Sequence, residues 1–238
     1  MSNIQKRILT SLVILPLSLF FVLKGGYFLT FFLIFVLCAG MHELFSVFKK
    51  KANILFLSLI LILSLFSIYY LRNNHYYSVL LLYWVIILCI CSDIGRYAFG
   101  KIFKWKKLTK ISPNKTVSGV LGSFFFSFVW LVIANEIWNG GWSQFSAFFD
   151  LHLLDESGLR PDYLIKIELF GIKYFLLTII FSALAQVGDL TISYFKRLEK
   201  IKDTGKILPG HGGIFDRIDG LMFVLIFTFV FYKLNIIP

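Results

Sequence analysis

Seven stretches of this chain run without a single Asp, Glu, Lys or Arg: residues 8–23, 25–41, 52–71, 75–92, 116–135, 174–188 and 220–232. Each is close to, or extendable to, the roughly 20 residues a helix needs to cross about 30 Å of hydrocarbon. A water-soluble fold of 238 residues cannot hide so much apolar surface, with 58% of positions hydrophobic, 28 of them Phe, and a mean hydropathy of +0.80. The pattern predicts an all-α, polytopic membrane protein with about seven transmembrane helices. The first run lacks an A-x-A-like cleavage site and passes through Lys24 into a second span, so it reads as a retained helix and not a cleaved signal.

An eighth apolar run, 137–149, is too short and too polar to span. It contains Asn139, Gly140, Gly141, Ser143 and Gln144, while its Trp and Phe residues suit an interfacial segment. Loop charge sets the orientation. With a cytoplasmic amino terminus and seven crossings, the inner segments hold Lys6, Arg7, Lys49 to Lys51, the basic residues from Arg96 to Lys115 and those from Lys196 to Arg217, eighteen of the 24 Lys and Arg. The formal charge of +11 therefore gathers on the cytoplasmic face, where it attracts anionic headgroups and polyphosphates. No nucleic-acid partner is expected. Cys38, Cys89 and Cys91 all lie in apolar runs without a C-x-x-C spacing and read as small buried hydrophobes. No repeat or linker divides the chain, so residues 1–238 read as one membrane-embedded domain.

Chemistry concentrates between the last two spans. Residues 193–219 carry four acidic and six basic side chains, a proline and a Gly-His-Gly-Gly turn. Charge beside hydrocarbon is costly, which makes this segment the candidate functional site. Asp189 is expected to end the sixth span, and Asp216 and Asp219 to begin the seventh on one helix face, at its positive pole. Three carboxylates at one boundary suit a hard cation such as Mg²⁺, which shares itself with substrate phosphates. The alternative is helix capping with ion pairs to Arg217 and Lys206. Gly210, Gly212 and Gly213 let backbone N–H groups approach an anion. Lys196, Arg197, Lys202, Lys206 and Arg217 complement a polyphosphate. Glu43, near the inner end of the second span, either faces the same cavity or is balanced by Lys49 to Lys51. Ser118, Gly119, Gly122 and Ser123 read as close-packing positions. His75 and His152 read as solvated outer-loop residues.

Ser193, Phe195, Lys196, Arg197, Lys202, Asp203, Gly205, Pro209, His211, Gly212, Gly213, Asp216, Arg217 and Asp219 stand at the spacing of a known signature. It resembles that of the phosphatidate cytidylyltransferase family, also called CDP-diacylglycerol synthases. A second region, Ser92, Asp93, Gly95, Tyr97, Gly100 and Lys101, followed by Ser112, Pro113, Lys115, Thr116 and Gly119, is similar to two further family elements. It departs from them at Arg96, Asn114 and Ser118.

The resemblance implies Mg²⁺-dependent transfer of CMP from CTP to phosphatidic acid, with a second cation possible. It also implies a dimer in the bacterial inner membrane whose site faces the cytoplasm. Asp189 and Asp216 would hold the metal, Asp219 and Asp93 would support them, and the Lys and Arg residues, with Lys115, would hold phosphates. Phosphatidate has a second pKa of about 6, so its attacking oxygen is already largely deprotonated and no strong base is needed. His211 is therefore expected to hydrogen-bond a phosphate or the leaving pyrophosphate, unless it is only a turn residue. The competing readings are a CTP-dependent enzyme acting on another lipid, such as a polyprenol kinase, and an ion or solute transporter.

Overall fold

Each charge-free run coincides with a helix. The computed structural model describes residues 3–74, 76–109, 112, 115–137, 171–205, 207 and 212–237. Among them are seven helices: α1 Asn3–Lys24, α2 Gly26–Val47, α3 Lys51–Asn73, α4 Tyr76–Phe103, α5 Val117–Glu136, α6 Ile172–Leu198 and α7 Phe215–Lys233. Five helical stretches, in α2, α3, α4, α5 and α6, are long and apolar enough to cross a membrane. The chain is thus a membrane protein whose regular structure is all helical among the described residues. The interfacial segment expected at 137–149 lies outside the described residues except for Ile137, as do His75 and His152.

Two helices overrun their apolar runs. α4 continues through Asp93 to Phe103, and α6 through Asp189 to Leu198. This corrects the expectation that Asp189 ends its span, since the helix runs on past it, and it makes residues 92–103 helical. Hydrocarbon thickness limits an apolar run, whereas a helix stops only where its backbone is capped or broken. At the end of α6 the stop is visible. Lys200 adopts a left-handed φ of 59°, its N–H donates to the Arg197 carbonyl at 3.0 Å, and the Ile201 N–H donates to the Lys196 carbonyl at 3.0 Å. This is a Schellman closure with lysine where glycine is usual.

The chain divides into two compact units, and α4 and α6 supply residues to both. One comprises residues 1–82 and 184–238, the other 83–183. In the first unit α3 packs on α2 and α7, and α1 on α2. Leu57, Leu61, Leu65, Ile68 and Leu71 of α3 recur at helical spacing and are buried with Leu29, Leu33 and Leu44 of α2 and Met222 and Leu225 of α7. Arg72 at the end of α3 donates to the Val22 and Leu23 carbonyls at 2.9 and 2.8 Å, satisfying the open carbonyl end of α1. The outward side of α2, with Phe28, Phe31, Phe35 and Phe45 exposed, suits contact with lipid. Cys38 is exposed among them, contrary to expectation, because its position falls on that side of the helix.

In the second unit α4 and α5 cross where both helices carry glycine. A Cβ on Gly95 would meet the Gly122 carbonyl carbon at 2.8 Å, and one on Gly119 would meet the Arg96 carbonyl oxygen at 2.9 Å. Between membrane helices such close approach replaces water exclusion as the source of stability. Ser118, Gly119, Gly122 and Ser123 are all buried, as their small size predicted. The Ser92 and Ser182 hydroxyls pair at 3.1 Å, and Thr116 caps α5 by accepting from the Gly119 N–H at 3.1 Å.

Candidate active site

Four helix ends meet at one end of the first unit. The Asn53 amide, in the first turn of α3, donates to Glu199 just beyond α6 at 3.4 Å, and Phe56 of α3 packs on Phe195 of α6. The end of α2 and the start of α7 join them through Glu43, described below. At this end α6 presents Asp189, Ser193 and Lys196, spaced by four and three residues so that they share a face. The Ser193 hydroxyl donates to Asp189 Oδ1 at 3.4 Å, and Arg197 donates to the Ile201 carbonyl at 3.0 Å, fastening the helix end.

Small residues bring α6 and α7 together beside the carboxylates. A Cβ on Gly188 would lie 2.9 Å from the Asp219 carbonyl oxygen, and one on Gly220 would lie 2.7 Å from that of Ala185. The backbones therefore nearly touch at the positions adjoining Asp189 and at Asp219 itself. Asp219 Oδ1 accepts from the Gly220 N–H at 2.8 Å.

Asp216, in the first turn of α7, is the hub of the loop that precedes it. Its Oδ1 accepts from Lys196 Nζ at 2.7 Å, and its Oδ2 from the backbone N–H groups of Thr204 at 2.8 Å and Gly213 at 3.1 Å. The side chains are 6% and 12% exposed, so the ion pair is almost fully desolvated. Breaking such a pair by removing one partner costs on the order of 3–5 kcal/mol, because it strands the other charge. Part of the capping alternative is thus realised, with Lys196 a partner of Asp216 that the capping alternative had not included. The Gly213 N–H, expected at a ligand phosphate, is engaged inside the chain.

Glu43, near the end of α2, is 1% exposed and takes the next two backbone donors. Its Oε1 accepts from the Ile214 N–H at 2.8 Å. Its Oε2 accepts from the Phe215 N–H at 3.1 Å and the Thr204 hydroxyl at 3.3 Å. A helix amino end normally leaves these donors open, and a carboxylate there also meets the positive pole. Glycine is needed nearby: a Cβ on Gly205 would lie 2.7 Å from Glu43 Oε1, and one on Gly213 would meet Oε2 at 2.5 Å. Of the two possibilities left open for Glu43, the structure gives burial at the site and not a surface balance with Lys49 to Lys51. Thr204 went unnoticed in the sequence, and no local signal marks it.

The other expected site residues divide by location. Arg197, Lys202 and Arg217 are exposed at the same end of the first unit. Lys206, Gly210 and His211 lie outside the described residues. Gly212 takes a φ of 85°, open to glycine at little cost. Asp93 and Lys115 belong to the second unit. Asp93 pairs with Arg96 at 2.6 Å, one helical turn on, with its side chain 63% exposed.

Among the described residues no three His, Cys, Asp or Glu side chains surround one point. In kind, however, the donor set at the α6–α7 crossing fits Mg²⁺. It consists of hard carboxylate oxygens from two neighbouring helices, one of which already holds a cation, the Lys196 ammonium. Both Asp216 oxygens are taken by Lys196 and two backbone N–H groups, so an ion at Asp216 would replace the Lys196 ammonium.

Known proteins carry the same pattern. The model of the cytidylyltransferase family matches residues 49–235. A phosphatidate cytidylyltransferase of Rickettsia felis is 31% identical over 231 residues, covering 92% of this chain and 88% of its own. One from Rickettsia conorii is 29% identical over 237 residues, covering 96% and 91%. One from Staphylococcus epidermidis is 38% identical over 135 residues, 56% of this chain and 42% of the relative. With a family model matched over most of its length and a relative aligned nearly end to end, the chain belongs to the cytidylyltransferase family.

Proposed function

We propose that the protein transfers CMP from CTP to the phosphate of phosphatidic acid, yielding CDP-diacylglycerol and pyrophosphate for phospholipid synthesis. The observation that carries this reading is the gathering of four helix ends around the buried Lys196–Asp216 pair, within a segment that reproduces the family signature. The names of the aligned relatives support the same substrates. A phosphatidate oxygen attacks the α-phosphorus of CTP, the new P–O bond forms, and the bond to the departing pyrophosphate breaks. No proton has to be removed first, since the phosphomonoester is largely dianionic above its second pKa of about 6.

The barrier lies in bringing two polyanions together and in the charge that moves onto pyrophosphate. Lys196, Arg197, Lys202, Lys206 and Arg217, with Lys115, hold phosphates, and His211 hydrogen-bonds the leaving group. Gly210, Gly212 and Gly213 carry no side chain to block an approaching phosphate. Asp189, Asp216 and Asp219 would hold Mg²⁺; the family resemblance implies Asp93 as a supporting acid and allows a second cation. When bound, the metal neutralises phosphate charge. In this reading the chain crosses the bacterial inner membrane seven times as a homodimer, its site opening to the cytoplasm and inner leaflet.

Incubation of the purified protein with labelled CTP, Mg²⁺ and phosphatidate tests the reaction. A lipid-soluble CMP adduct is expected. A phosphorylated lipid with release of CDP, or an adduct formed only with another lipid phosphate, would overturn it. A cysteine placed at Asp155 should be labelled from outside intact cells, and labelling only after lysis would overturn the seven-crossing topology.

A further inference from the structure

We infer that Glu43, which lies ahead of the matched family region, is a positioning residue that sets Asp216 and the α7 entrance for catalysis. Two carboxylates divide one set of donors between them. Asp216 takes the N–H groups of Thr204 and Gly213, and Glu43 takes those of Ile214 and Phe215. Thr204 links the two acids, giving its N–H to Asp216 and its hydroxyl to Glu43. Three consecutive N–H groups, 213 to 215, are thereby fixed by side chains from two different helices. Asp216 cannot turn without moving this backbone, and Glu43 holds that backbone to the end of α2. Glu43 is 1% exposed and, unlike Asp216, holds no side-chain cation that a ligand could replace, so its effect on the reaction passes through Asp216.

Acceptor capacity explains why the residue must be an acid. Glu43 receives three hydrogen bonds on two oxygens. In Glu43→Gln one oxygen becomes an NH₂ that confronts either the Ile214 or the Phe215 N–H, donor against donor. Thr204 can rotate its hydroxyl to accept, but a backbone N–H cannot. The loss of one hydrogen bond to a charged group amounts to about a ten- to hundredfold change in an equilibrium.

The catalytic part of this inference rests on the cytidylyl-transfer reading, but its structural part is measured without turnover. In detergent, Glu43→Gln should speed amide hydrogen exchange about tenfold or more at residues 213–215 while the core of α3 is unchanged. It should also lower kcat by a similar factor and leave the KM for phosphatidate where it was. Thr204→Val, which removes one hydroxyl and should fold even if Glu43→Gln does not, is expected to act in the same direction by a smaller factor, and Thr204→Ser to restore wild-type behaviour. Unchanged exchange at 213–215 in Thr204→Val would overturn the inference, as would a fall in kcat without faster exchange. Should the wild type transfer no CMP at all, the functional reading fails, and the exchange comparison still decides the role of Glu43.

Discussion

Asp216 and Asp93 are both acids paired with a base on a helix near the membrane boundary, yet they live in different physics. Asp216 is 6% exposed and shares its oxygens among a lysine and two backbone donors from a loop. Asp93 is 63% exposed and pairs with the guanidinium of Arg96 one turn along the same helix. A desolvated pair is screened little and ties distant segments together, whereas an exposed pair within one turn is screened and links residues already adjacent. The first region is organised by its charges, whereas the Asp93–Arg96 pair ties together nothing beyond one helix turn.

Substitutions can break this contrast or sharpen it. The largest effect is expected from Asp216→Asn. However its amide turns, the NH₂ faces either the Lys196 ammonium or two backbone donors. CMP transfer should fall on the order of a hundred- to a thousandfold and the thermal midpoint should drop. Near-normal turnover would remove Asp216 from the site. Next, Gly188→Ala drives a methyl into the Asp219 backbone at the α6–α7 crossing and should destabilise by about 1–3 kcal/mol. Gly95→Ala meets the Gly122 backbone in the second unit at comparable cost. Only Gly188→Ala should weaken CTP binding at a temperature where both remain folded, as a binding titration would reveal.

Asp93→Asn should change stability by less than about 1 kcal/mol, since exposed pairs contribute little. A larger drop in thermal midpoint would mean that the two regions do not differ as described. The smallest effect belongs to Lys200→Gly. Relieving a left-handed lysine should stabilise by up to about 1 kcal/mol and leave transfer unchanged.

The helices were legible because charge-free runs leave a hydrocarbon-spanning chain few alternatives. Their ends were not. α6 passes straight through Asp189 because its polar residues fall on one face, and only the backbone closure at Lys200 stops it. The signature segment announced Asp216 through its charge density. Glu43 was visible as an acid at the end of an apolar run, but its partners stand some 171 residues away in sequence, a separation that no periodicity encodes. Thr204 is one of many threonines in such chains until the fold sets it between two carboxylates.

The central claim is that acids of α6 and α7 share one divalent cation that grips the triphosphate. Binding of Mn²⁺ in place of Mg²⁺, followed by electron paramagnetic resonance on the purified protein with CTP present, addresses it directly. Shared ligation predicts that Asp189→Asn and Asp216→Asn each abolish the bound signal seen in the wild type, while Asp93→Asn only weakens it. Undiminished Mn²⁺ binding in either of the first two variants would contradict a site built from both helices.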